Sequence, residues 1–97
     1  MMIAFSVAPV SEEMSEAVAR AVKIVRESGL PNETNAMFTL IEGEWDELMD
    51  VVKRATDAVL EVSPRASLVI KADIRPGWNN RLTGKVEDME TAMKELK

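Results

Sequence analysis

No cysteine, histidine or tyrosine occurs in the 97 residues, and two phenylalanines and two tryptophans supply all the aromatic rings. Without cysteine there is no disulfide and no thiolate nucleophile. Without histidine there is no imidazole general base, and the common Cys/His zinc sites are excluded. Catalysis would have to rest on carboxylates, lysines, serines or threonines. No Walker A sequence, GxGxxG or zinc-ligand spacing is present. No cofactor and no metal is expected. Long apolar runs are missing too. The longest uncharged stretch, Met1 to Ser11, is far below the ~20 residues that span a bilayer. It lacks a basic start and an A-x-A-like cleavage site, so the expected location is the cytoplasm, without membrane insertion. Basic residues are outnumbered, 12 against 17 acidic, for a net charge of −5. That field repels a phosphate backbone, so nucleic acid is not an expected partner. A neutral or cationic small ligand suits it better.

What is present is strong periodicity. Met2 to Pro9 alternates, with Ile3, Phe5 and Val7 on one side and Ala4, Ser6 and Ala8 on the other. Period two predicts a strand that Pro9 ends. Ser11 is a candidate N-cap, followed by Glu12 and Glu13. Met14, Ala17, Val18, Ala21, Val22 and Val25 then recur at helical spacing, up to the stop signals Gly29 and Pro31. Asn32 to Ala36 suits a short edge strand, and Met37 to Glu42 a second arm closed by Gly43. Trp45, Leu48, Met49, Val52, Ala55 and Val59 predict a second amphipathic helix, ended at Ser63-Pro64. Arg65 to Arg75 is the clearest strand. Ala66, Leu68, Ile70, Ala72 and Ile74 share one face; Ser67, Val69, Lys71, Asp73 and Arg75 share the other. Pro76 to Asn80 reads as a loop, and Thr83 as a candidate cap for a last helix with Val86, Met89 and Met93. The helical methionines read as core filler.

The order predicts an α+β fold: one ferredoxin-like βαββαβ sandwich over residues 1–97, with an added C-terminal helix. Two helices cover one sheet face. The other face mixes apolar and polar groups, including Phe38, Leu40 and Val69, and self-association through it is the simplest remedy.

The chemistry concentrates at Thr39-Leu40-Ile41-Glu42-Gly43-Glu44. Glu42 lies near a strand end on the face of Phe38 and Leu40, so its charge needs a partner. Either it anchors a ligand at the strand-to-helix turn, or it pairs with Lys71 or Arg75. Lys71, Asp73 and Arg75 form either a wet sheet face or part of a site. Trp45 is expected to pack in its helix stripe. Trp78 could fold over a site or a neighbouring subunit.

The segments Phe5-Ser6-Val7-Ala8-Pro9, Ser28-Gly29-Leu30, Thr39 to Glu44, Ile70 to Arg75 and Gly84-Lys85-Val86-Glu87 resemble, in the same order and nearly end to end, the small thiamine-binding protein family. That resemblance implies the ferredoxin-like fold, a homodimer or homotetramer, and non-catalytic binding of thiamine or its hydroxymethylpyrimidine part, linked to thiamine uptake or salvage. It also implies a ligand role for Thr39 and Glu42. Ser6, Asn35 and Asp73 complete the candidate set. An aminopyrimidine suits such residues, because a carboxylate can accept from its amine and a hydroxyl can meet an edge atom. Two other readings stay open: a small dimeric α+β barrel enzyme of monooxygenase or isomerase type, and a regulatory protein-interaction module.

Overall fold

The structure, a computed structural model, describes residues 1–9, 14–77 and 79–96. Its elements are β1 (Met2–Pro9), α1 (Ser15–Glu27), β2 (Asn32–Thr34), β3 (Thr39–Glu42), α2 (Trp45–Leu60), β4 (Ala66–Asp73) and α3 (Arg81–Glu95). The strands form one antiparallel sheet in the order β2-β3-β1-β4. This is the ferredoxin-like fold, with α3 added. β1 sits between two neighbours. It pairs β3 from Met2↔Glu42 to Phe5↔Thr39, and β4 over its whole length, from Met2↔Asp73 to Pro9↔Ala66.

The alternation in β1 sorts its side chains as read from the sequence. Ile3, Phe5 and Val7 are buried under the helices, while Ala4, Ser6 and Ala8 lie on the far face. The core joins Ile3, Phe5, Val7 and Ile41 to Ala17, Ala21 and Val25 of α1 and to Leu48, Val51, Val52, Ala55 and Val59 of α2. Gly29, at φ +78, takes the left-handed conformation just past α1, which a side chain would strain. At the start of α2, Glu44 and Glu47 form a reciprocal capping box.

Several expectations are corrected. Trp45, the first residue of α2, is 54% exposed and stands outside the core. Met14, Met89 and Met93 are exposed rather than core filler, whereas Met49 of α2 packs partly against the core. The hairpin strands are shorter than read: Asn35 to Phe38 form the turn, which Asn35 organises. β4 ends at Asp73, before Ile74 and Arg75. The proposed cap Ser11, with Glu12, Glu13 and Trp78, lies outside the described residues.

α3 is held differently from α1 and α2. Gly84 is its one residue buried among those described. The Cα radius of gyration, 15.1 Å, exceeds the ~13 Å of a close-packed chain of this length, because α3 projects from the two-layer body.

Candidate functional site

The five candidate residues fall into two groups at opposite ends of the sheet. Ser6, Asn35 and Thr39 line one cavity, whereas Glu42 and Asp73 stand at the base of α3.

The cavity follows from a mismatch of strand lengths. β3 leaves β1 after Phe5↔Thr39, yet β1 continues to Pro9. On the side of the departing hairpin the edge of β1 at Ser6 to Ala8 is therefore open. Because antiparallel strands alternate their hydrogen-bonding direction, part of that edge turns N–H and C=O groups toward the gap. The β2–β3 turn and α1 wall the gap off. The result is a half-open cavity of about 200 Å³, with Phe5, Val22 and Phe38 among its apolar lining residues.

Polar groups are few there. Asn35 spends its Oδ1 on the turn, accepting from the N–H groups of Met37 at 2.8 Å and Phe38 at 2.9 Å. Among the described residues its amide NH2 has no partner, and neither does the hydroxyl of Thr39 or of Ser6. Thr39 sits opposite Phe5, on the helix-covered side of the sheet, and so directs its hydroxyl toward the cavity. The lining residues Met37 and Phe38 were not among the candidates. Their place inside a turn hid them, because the sequence assigns them to a strand.

Glu42 makes contacts of a different kind. It lies on the opposite sheet face from Thr39, since the two are three residues apart on one strand. Glu42 as a residue is 7% exposed. Oε2 accepts from the N–H of Arg81 at 2.6 Å, and Oε1 accepts from the N–H of Leu82 at 3.2 Å. These are the first two residues of α3, whose amides have no partner within the helix. A carboxylate there also meets the positive end of the helix dipole. This arrangement takes the place of the expected ion pair with Lys71 or Arg75. Thr83, read as the cap, lies inside α3 and donates its hydroxyl to Asn80 Oδ1 at 3.0 Å.

Asp73 forms the second tie. Its Oδ2 accepts from the ammonium of Lys85, one turn into α3. That hydrogen bond, and then the charge of Lys85, hold the Asp73 carboxyl below its ordinary pKa. No group of three or more acidic residues that could hold a metal ion occurs among the described residues. No helix described is long and apolar enough to cross a membrane.

A four-stranded antiparallel sheet with two covering helices and an added α3 places the chain in the α+β ferredoxin-like class. The particular family follows from comparison with known proteins. The chain belongs to the thiamine-binding protein family, whose model matches residues 3–90. A UPF0045 protein of Mycobacterium bovis is 52% identical over 93 residues, covering 93% of this chain and 91% of the relative. A UPF0045 protein of Methanothermobacter thermautotrophicus is 38% identical over 82 residues, covering 82% of this chain and 83% of its own length. Among solved structures, a DUF77 domain from Bacillus cereus superposes with a TM-score of 0.80 at 35% identity, covering 88% of this chain and 85% of that one. A Thermotoga maritima protein, provisionally assigned to thiamine biosynthesis or salvage, has a TM-score of 0.77. At 24% identity, with 89% of this chain and 96% of that chain covered, it speaks for the fold alone.

Proposed function

We propose that this chain binds thiamine or its hydroxymethylpyrimidine part without catalysing a reaction, as a homo-oligomer in the cytoplasm serving thiamine uptake or salvage. The family membership supports the ligand class. The observation that carries the reading to this molecule is the cavity between α1, β1 and the β2–β3 turn. There the Thr39 hydroxyl and Asn35 amide line a mostly apolar space and have no hydrogen-bond partner among the described residues.

The size suits the pyrimidine half. At about 200 Å³ the cavity equals roughly seven water volumes, the order of one substituted six-membered ring. It is smaller than the ~300–1,000 Å³ typical of sites that enclose a whole drug-sized ligand, so the thiazolium would project to the rim near Met37 and Phe38. The Asn35 amide donates to a ring nitrogen. Thr39 and the open edge at Ser6 accept from the exocyclic amine. Phe38 gives the cation an aromatic surface. Glu42 and Asp73 enter this reading as the ties that place α3 rather than as ligand contacts.

The test is calorimetric titration with thiamine, its phosphates and hydroxymethylpyrimidine, on wild type, Thr39→Val and Asn35→Ala. A lost neutral hydrogen bond costs about 0.5–1.5 kcal/mol, so each variant should bind roughly 2- to 12-fold more weakly. No heat from any of these ligands at millimolar concentration would refute the binding role. Chemical turnover of a bound ligand would favour an enzyme.

A further inference from the structure

The cavity between α1, β1 and the β2–β3 turn is uncharged in a strongly charged chain. The protein has 17 acidic and 12 basic residues, yet every described residue that lines the cavity is uncharged. β1 and the turn from Asn35 to Phe38 contain no ionisable side chain. α1 lines the space with Val18, Ala21, Val22 and Val25, and its charged residues Glu16, Arg20, Lys23, Arg26 and Glu27 are not part of the lining. Glu33 lies opposite Leu40, and so on the other sheet face from Thr39. Glu42 is bound to the amides of α3. Among the described residues, an ion entering this space meets no counter-ion to offset the water it gives up.

Asn35 gives this space its polarity. The turn it organises uses only Oδ1, which accepts from the N–H groups of Met37 at 2.8 Å and Phe38 at 2.9 Å. Those two donors fix which end of the amide is oxygen. The NH2 group is left at the cavity, without a partner among the described residues, and an amide NH2 only donates. Aspartate makes the same kind of turn, so the turn by itself has no use for the NH2. We propose that Asn35 selects the protonation state of the ligand, so that the cavity takes an aminopyrimidine whose ring is uncharged and rejects the protonated, cationic ring. The inference rests on the ligand reading above and specifies the form bound. An unprotonated ring nitrogen accepts from the Asn35 amide, whereas a protonated one sets N–H against N–H and leaves both donors unpaired. The net charge of −5 does not reverse this preference, because charges outside the cavity act on it through water and salt, which screen them over about 10 Å.

The test is calorimetric titration with hydroxymethylpyrimidine across a pH series that spans the ring's own pKa, on wild type and on Asn35→Asp. Wild-type affinity should be level above that pKa and about tenfold weaker one pH unit below it, since only the uncharged fraction binds. Asn35→Asp keeps an oxygen for the N–H groups of Met37 and Phe38 and puts a carboxylate oxygen where the NH2 stood. Its affinity should instead rise as the ring protonates, until the new carboxylate takes up its own proton near the ordinary aspartate value of about 3.9. Far-ultraviolet circular dichroism at each pH should match between the two proteins, which separates ligand selection from unfolding. Wild-type affinity that stays level through the ring's pKa, or that tightens below it, overturns the inference and leaves the binding role standing. A fall in Asn35→Asp equal to that in wild type overturns the assignment to Asn35. No heat at any pH overturns the ligand reading itself.

Discussion

Replacing Glu42 by glutamine separates two roles that one carboxylate could play. In the structure both carboxylate oxygens accept from α3 amides, at Arg81 and Leu82. Glutamine keeps one acceptor and turns an NH2 group toward the other amide. A hydrogen bond to a charged acceptor contributes about 1.5–3 kcal/mol, and the charge–dipole attraction about 0.3–1 kcal/mol more. A loss of about 2–3 kcal/mol raises the opening constant of α3 by roughly 30- to 150-fold. The loss stays local, because Gly84 is the one buried residue of α3 among those described and the core forms without it. The main thermal transition should therefore move by less than about 4 °C, the least that 1 kcal/mol of global destabilisation would give. The assay is amide hydrogen exchange resolved to the first turns of α3, with thiamine titration alongside. Glu42→Gln should speed exchange in α3 and leave affinity within about twofold of wild type. If affinity falls tenfold or more while α3 exchange is unchanged, Glu42 holds the ligand and the capping argument is refuted.

The Asp73–Lys85 tie has a defined pH sense. Lys85 lowers the Asp73 pKa in the folded state, so the tie contributes above the unfolded carboxyl range and is lost as pH falls through the lowered folded value. The difference in α3 exchange between wild type and Asp73→Asn should thus hold from neutral pH to about 3.9, the ordinary aspartate value, and vanish in stronger acid. Glu47→Ala breaks the capping box of α2 and should cost about 1 kcal/mol, read as a lower denaturant midpoint at constant slope. Leu48→Ala empties a site with 0% exposure and should cost about 2–5 kcal/mol, lowering the melting temperature by roughly 8 °C or more.

The layers of the fold were legible because one-sided burial writes a period into the chain. Ile3, Phe5 and Val7 show it at period two, and Leu48, Val52, Ala55 and Val59 at the helical period. The stripe was misleading where an element outruns what it packs on. Trp45 fits the periodicity of α2 yet is 54% exposed, and Leu68 and Ile70 fit the apolar face of β4 yet stay exposed. Periodicity reports which residues share a face; it does not report whether anything covers that face. The candidate site was legible as residues and hidden as geometry. Alternation already puts Thr39 and Glu42 on opposite faces, but the partner of Glu42 lies 39 and 40 positions away, on backbone amides that carry no side-chain signal.

The division of the candidates between two ends of the sheet follows from the register. β1 has eight residues and β3 has four, and they are flush at Met2↔Glu42. All the excess of β1 therefore accumulates at the other end, past Phe5, and that is where the cavity opens. At the flush end the two strands stop together, and the Glu42 carboxylate there meets the next element to arrive, the N-terminus of α3. Deepening the cavity requires shortening the β3 pairing, and lengthening that pairing would close it. A variant that extended β3 by one β1 pair, to Ser6↔Phe38, would keep the core and the Glu42 cap while removing the space in which Asn35 and Thr39 meet a ligand.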